Sequence, residues 1–138
     1  MAEHARLAPS AASIWFACPG QPALAATVQD TDSPSAKRGT QAHSVLATCL
    51  LEGRQAVEFI GRYSAIPYEE EDSDAVQLAL DYLRGEFDEA EGDEWGVEQR
   101  LTYSDDVWGT ADFVRYRPST GELLVADSLT GDLLAFTR

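Results

Sequence analysis

The hydrophobic pattern of this chain changes its period at Gly92, and that change limits the folds that the chain can adopt. Before Gly92, apolar residues recur every three to four positions, as on the buried face of an amphipathic helix. After Gly92, apolar and polar residues alternate, as in strands with one buried face. We therefore expect an α+β fold, with N-terminal helices packed on a mostly antiparallel sheet of three to four strands.

The clearest helix is predicted over residues 39–51, within a helical section that spans residues 7–60. Its apolar side chains follow the spacing of one helix face, and Gly53 stands just past its end, where helices commonly stop. The apolar positions are Ala42, Val45, Leu46, Cys49 and Leu50.

Other parts of the helical section have weaker patterns. Ser10 can cap a short helix that ends before Pro19, and a further short helix is predicted over residues 55–60. Residues 21–37 contain prolines and small residues without a sustained apolar period, so we expect mainly a loop there.

An acidic helix is predicted over residues 73–92, with Ser73 as its cap. The surrounding stretch, residues 69–94, holds twelve acidic residues and only one basic residue, Arg84, in a chain whose net charge is −14. A solvated helix face explains such a run, and a DNA-mimicking inhibitor surface is the alternative. The overall charge excludes a nucleic-acid binder held only by neutralisation of phosphates.

The sheet is predicted over residues 94–131. Pro118–Gly121 has the composition of a tight turn, and it separates the second strand from the third. The predicted strands cover residues 95–103, 107–116 and 122–126, and residues 131–138 can add one more.

Length and cysteine content narrow the class of protein. A chain of 138 residues has the size of a single domain, here residues 1–138. Cys18 and Cys49 form no metal-binding or disulfide pattern, and each is most simply a small buried side chain. The sequence has no signal peptide and no apolar stretch near 18 residues, so we expect a cytoplasmic protein with no membrane segment.

Four short motifs place one imidazole and three carboxylates on elements that can converge. These motifs are GTQAH (39–43), VEQR (97–100), GTAD (109–112) and LLVAD (123–127). Carboxylate oxygens are the preferred ligands of Mg²⁺ and Mn²⁺, and such ions activate water beside a scissile phosphate. Asp112 and Asp127 lie in apolar strand segments, where an unpaired charge is costly and a metal is a suitable partner.

At these motifs the chain resembles the PD-(D/E)XK nuclease superfamily, in its phage-borne and RecB-like exonuclease branch. That branch has a Gly-Thr-x-x-His helix, a Gly-x-x-Asp strand and an Asp-x-Lys strand, and residues 7–131 follow this order. The resemblance implies His43, Asp112 and Asp127 as ligands of Mg or Mn and Glu98 as a supporting acidic residue. It also implies DNA as the substrate. We expect the metal to bind weakly if at all.

Leu129 stands where the resemblance predicts the lysine of Asp-x-Lys. Leucine can neither orient a water molecule nor stabilise developing negative charge. Lys37 is the only lysine in the chain, and it is the remaining candidate for a relocated base or a phosphate contact.

Only eleven residues follow Asp127, where the resemblance implies a further helix and strand. We therefore expect an incomplete restriction-endonuclease-like core, which a protein partner can complete. A single early cysteine without three late ones predicts no iron–sulfur cluster.

Each candidate residue also has a simpler interpretation. His43 can be a satisfied helix histidine, Asp112 a strand-edge charge and Asp127 a turn former. Glu98 can be a solvent-facing strand residue that pairs with Arg100 or Arg115.

The predicted function is that of a phage-related PD-(D/E)XK exonuclease-like protein, which hydrolyses DNA phosphodiesters with a metal and has low or no activity in this chain. The alternatives are a non-catalytic binding module and an acidic DNA-mimic or inhibitor protein. Metal-dependent cleavage of DNA distinguishes the first from the other two.

Overall fold

The computed structural model describes residues 5–28, 33–86, 91–129 and 132–137. Within these ranges, helices come first along the chain and strands follow, which confirms the predicted α+β fold. The helices are α1 (Ala12–Ala17), α2 (Gln21–Ala25), α3 (Pro34–Glu52) and α4 (Glu70–Glu86), with 3₁₀ turns at Pro9–Ala11 and Ala56–Phe59. The strands are β1 (Glu94–Thr102), β2 (Trp108–Arg117), β3 (Glu122–Leu129) and β4 (Asp132–Thr137).

Helix α3 is longer than the sequence pattern indicates, because its start depends on capping and not on apolar spacing. Ser33 is extended, and its hydroxyl accepts a hydrogen bond from the Ala36 N–H at 3.1 Å. Pro34 occupies the first helical position, where its fixed φ suits the helix and no N–H is missed. The predicted loop over residues 21–37 is therefore wrong at both ends, since α2 begins at Gln21.

Two predicted helix caps are also wrong. The 3₁₀ turn at Pro9–Ala11 precedes α1, and the capping residue of α1 is Ala11, not Ser10. Helix α4 begins at Glu70, three residues before the predicted cap Ser73, which is buried within the helix. The acidic first turn of α4 favours this earlier start, because negative charge stabilises the amino end of a helix. Residues 87–90 lie outside the described part, and residues 91 and 92 form a turn, so the predicted helical end at residue 92 is wrong.

Arg84, the one basic residue of the acidic stretch, fastens α4 to the end of α3. Its guanidinium donates to the carbonyl oxygens of Cys49 at 3.2 Å and Arg54 at 2.6 Å, and to the Gln55 side chain at 3.2 Å. The Cys49 carbonyl in the last turn of α3 also accepts the backbone N–H groups of Gly53 and Arg54, so the guanidinium adds a favourable cation to a helix end that is already capped.

A single cluster of buried side chains joins the two long helices to the sheet. Phe113 of β2 and Leu124 of β3 are fully buried in it. Its helical and loop members are Val45, Leu46, Cys49, Ala56, Phe59, Tyr68, Val76, Leu80 and Leu83. This contact holds α3 in a fixed position relative to β1 and β2.

The strands form an antiparallel sheet in the order β1-β2-β3-β4. Pairing between β1 and β2 extends to Trp108, at the beginning of β2. Pairing between β2 and β3 extends only from Arg117 to Phe113, which lies opposite Ala126. Beyond that point β3 continues with β4 as its paired neighbour. Asp112 and Asp127 are the first residues beyond the last β2–β3 pair.

The predicted sheet over residues 94–131 is longer in the structure, since β4 reaches Thr137. Of the helices that the structure describes, none is long and apolar enough to cross a membrane.

Candidate metal centre

A hydrogen bond between His43 and Asp112 is the centre of the site. The imidazole Nδ1 lies 2.7 Å from the Asp112 Oδ1, and the two residues are 69 positions apart in sequence. The Asp112 side chain is only 7% exposed, whereas that of His43 is 34% exposed. Helix α3 therefore presents a histidine to a buried strand carboxylate, with one side of the imidazole still accessible.

Glu98 lies beside this pair because of the register of the β1–β2 hairpin. Val97 pairs with Phe113 and Gln99 pairs with Ala111, so Glu98 is at the level of Asp112. One possible ligand atom from each of His43, Glu98 and Asp112 falls within 4.8 Å of the others. We call these three residues the His43 cluster.

The backbone of Glu98 is unusual for a strand residue. Its φ angle is +51°, in the left-handed region, and among the described residues it is the one non-glycine with a positive φ. A side chain in this region costs on the order of 1–3 kcal/mol, and such strain occurs most often at functional sites. This unfavourable backbone lies directly beside Asp112.

Asp127 is near the His43 cluster but is not one of its three members among the described residues. It follows Ala126 where the β2–β3 pairing stops, one position beyond the partner of Phe113. Its charge still acts on both His43 and Glu98. The structure therefore places Asp127 at the margin of the site and Glu98 within it, whereas the sequence pattern predicts the reverse.

The electrostatics of the site follow from three carboxylates around one imidazole. The pKa of His43 is raised, mainly by its hydrogen bond to Asp112 and also by the nearby negative charges, although partial burial opposes this. The pKa values of Glu98 and Asp127 are raised, first by burial and then by the charge of Asp112. Each group thus favours the state with less negative charge, as expected where several carboxylates lie close together.

The donor set suits a hard divalent cation. Carboxylate oxygens are the preferred ligands of Mg²⁺ and Mn²⁺, and the imidazole of His43 adds one nitrogen donor. Adjacent ligands of an octahedral ion lie about 3 Å apart when the bonds are about 2.1 Å long. The 2.7 Å contact between His43 Nδ1 and Asp112 Oδ1 is a hydrogen bond, so a metal ion bound by both atoms would have to displace the proton that they share.

A groove opens beside the His43 cluster along one face of α3. Its volume is about 340 Å³. Its lining residues are Thr40, His43, Ser44, Ala47, Thr48, Leu51 and Glu98. We call it the α3 groove. The hydroxyl residues were not predicted, although their spacing at positions i, i+4 and i+8 marks one helix face.

The other predicted site residues lie apart from this centre. Lys37 is exposed in the first turns of α3, six residues before His43. Leu129 lies on β3, two residues past Asp127. Cys18 is exposed, so the prediction that it is buried is wrong, whereas Cys49 is buried in the core.

The alternative partners considered for Glu98 have contacts of their own. The guanidinium of Arg115 donates to the Glu122 carboxylate. The guanidinium of Arg100 lies 3.8 Å from the centroid of the Trp108 ring. The acidic stretch is partly paired as well, since Asp72 accepts a hydrogen bond from Arg38.

A protein-family model described as "Protein of unknown function (DUF2800)" matches residues 4–134. The match includes α3, both strands of the β1–β2 hairpin and every residue of the His43 cluster. No solved structure matches the chain.

Proposed function

The chain belongs to this family of unknown function, and we propose that it is a divalent-metal-binding domain of the PD-(D/E)XK nuclease type. The observation that carries the proposal is the His43 cluster, in which three possible ligand atoms from a helix and two strands lie within 4.8 Å. The reaction is metal-assisted hydrolysis of DNA phosphodiester bonds.

The residues of the His43 cluster have distinct roles in this proposal. Asp112 is the buried anchor, because its carboxylate is almost inaccessible to solvent and fixes the orientation of His43. Glu98 is the most exposed of the three residues and supplies the carboxylate that lines the α3 groove. A bound Mg²⁺ or Mn²⁺ would polarise a phosphate oxygen and lower the pKa of a bound water molecule.

Asp127 acts from the margin of the site. Its pKa is raised by burial and then by the charge of Asp112, so a cation in the His43 cluster would favour its ionised form. A carboxylate in this position can accept hydrogen bonds from water molecules bound to the metal, and such contacts tune metal affinity.

Hydrolysis is proposed to be slow. Leu129 replaces the lysine that positions water and stabilises charge in the family that the chain resembles. The loss of one such donor costs on the order of 10²-fold or more in rate. The net charge of −14 also repels phosphates until a cation is bound.

Calorimetric titration with Mn²⁺ tests the metal site directly. We expect binding to the wild-type chain and its loss in Asp112→Asn, which keeps the shape of the side chain but removes its charge. Asp74→Asn, on the exposed face of α4, is the matched control and should bind Mn²⁺ as the wild type does. Equal binding by Asp112→Asn would place the ion elsewhere and contradict the proposal.

Labelled linear DNA with Mn²⁺ tests the reaction. We expect slow cleavage that is lost in Asp112→Asn and retained in Asp74→Asn. Metal binding without cleavage would support a non-catalytic binding module instead.

A further inference from the structure

We propose that the α3 groove binds the nucleoside attached to the phosphate that the metal holds, so that the chain recognises one nucleotide unit beside the His43 cluster. This inference rests on the proposed function. It begins from two shared residues, since His43 and Glu98 belong to the His43 cluster and also line the groove. A ligand bound to the metal therefore extends directly into the groove.

Two of the three hydroxyl groups that line the groove, those of Thr40 and Thr48, act as acceptors. The Thr40 hydroxyl donates to the carbonyl oxygen of Ala36 at 3.1 Å, and the Thr48 hydroxyl donates to that of Ser44 at 2.8 Å. Each hydroxyl proton is thus used within α3, while the oxygen keeps a lone pair. Together with the Glu98 carboxylate, these oxygens suit ligand N–H and O–H groups, such as those of a base or a sugar.

The rest of the lining excludes a second phosphate as the occupant. Neither lysine nor arginine lines the part of the groove that the structure describes, and Glu98 adds negative charge. Phosphate groups require cations or backbone N–H donors, which this lining lacks. Ala47 and Leu51 instead offer apolar surface, and Leu51 is 64% exposed. A base or deoxyribose ring can cover this surface, and the phosphate stays at the metal.

The groove is large enough for one nucleoside but not for several nucleotides of DNA. Its volume of about 340 Å³ is near the lower end of ligand pockets, which span roughly 300–1,000 Å³. The groove also follows a single helix face, from Thr40 to Leu51. Recognition is therefore expected to depend on the nucleoside next to the metal.

Binding of small phosphates to the Mn²⁺-loaded chain tests this assignment. The probes are deoxyadenosine monophosphate, deoxyribose 5-phosphate and inorganic phosphate, measured by titration calorimetry. We expect the nucleotide to bind tighter than inorganic phosphate by about tenfold or more, with the sugar phosphate between them. Equal affinity for the three probes would show that only the phosphate is held and would overturn the assignment.

Two variants fill the groove without replacing a metal ligand. Ala47→Phe and Ser44→Leu should each weaken nucleotide binding by about tenfold or more, while Mn²⁺ and inorganic phosphate bind as before. Ser44 is exposed, so its enlargement leaves folding intact even where the change at Ala47 does not. Ala75→Phe, at an exposed position of α4, is the matched control and should leave all three affinities unchanged.

The outcomes separate this inference from the proposed function. If the chain binds no Mn²⁺, both fail. If Mn²⁺ and inorganic phosphate bind but Ser44→Leu leaves nucleotide affinity unchanged, only the groove assignment fails.

Discussion

His43 on α3 and Asp112 on β2 are joined by a 2.7 Å hydrogen bond that links the helical half of the protein to the sheet. The bond lies between a partly accessible imidazole and a buried carboxylate. It therefore fixes the position of α3 relative to the β1–β2 hairpin, and it also makes stability depend on the protonation of His43.

Stability of the metal-free protein should fall as pH rises through the pKa of His43. The hydrogen bond to Asp112 raises that pKa above its ordinary value of 6.5, so the folded state holds the proton more tightly than the unfolded chain. The stabilisation is fully present below the unfolded-state pKa and is lost above the folded-state pKa. Urea unfolding in the presence of a chelator, from about pH 5 to about pH 8, measures it.

His43→Gln is the control for this pH dependence and should remove it. The raised pKa values of Glu98 and Asp127 act in the same direction at lower pH, near their ordinary values of 4.5 and 3.8. That acidic part of the profile should persist in His43→Gln. A wild-type profile that is flat above pH about 6.5 would contradict the prediction.

Glycine at position 98 should give a more stable protein than alanine at the same position. Both changes remove the carboxylate, so their difference reports the backbone, whose φ angle is +51°. Glycine avoids a left-handed penalty of roughly 1–2 kcal/mol for other residues. In ordinary strands alanine is the more stable of the two, by roughly 0.5–1 kcal/mol. Denaturant unfolding of Glu98→Gly and Glu98→Ala compares their free energies of unfolding. A more stable glycine variant supports a left-handed backbone at position 98, and a more stable alanine variant contradicts it.

Arg84→Met should lower the free energy of unfolding by about 1–3 kcal/mol. The change removes the guanidinium from the carbonyl oxygens of Cys49 and Arg54, of which the Cys49 oxygen keeps the backbone N–H donors of Gly53 and Arg54. Methionine retains much of the side-chain length, so the loss reports hydrogen bonds more than packing. Arg6→Met, at a side chain that is 66% exposed, is the control and should change stability little. Similar losses in both variants would argue against the capping role of Arg84.

Gly39→Ala should stabilise the protein by about 0.5–1 kcal/mol without changing Mn²⁺ affinity. Gly39 lies inside α3, and a Cβ atom added there meets no atom within 4 Å. The glycine of the GTQAH motif thus has no steric role in the described structure. Thermal unfolding and Mn²⁺ titration check the two halves of the prediction, and a loss of Mn²⁺ binding would show that the glycine matters to the site.

Local sequence signals predicted the framework of the fold. The 3.6-residue period located the body of α3, and the two-residue period located the strands of the sheet. The Pro118–Gly121 turn lies where it was predicted, and Gly121 has the positive φ that such a turn favours. Each of these features depends on residues that are close together in the chain, so it can be predicted from the sequence without a structure.

Helix boundaries were predicted less well, because capping and charge compete with apolar periodicity. Ser33 and Pro34 start α3 before its apolar stripe begins, and the acidic first turn of α4 moves its start ahead of Ser73. These capping and charge signals are present in the sequence, but the spacing of the apolar residues does not show them.

The sequence alone determined the helix-then-strand order and the four candidate groups, His43, Glu98, Asp112 and Asp127. Only the tertiary structure decided that Glu98 joins His43 and Asp112 while Asp127 stays at the margin. That choice depends on the register between strands, on the packing of α3 over the hairpin and on the left-handed backbone of Glu98. Each of these is set by contacts between residues far apart in the chain, and local periodicity has no information about them.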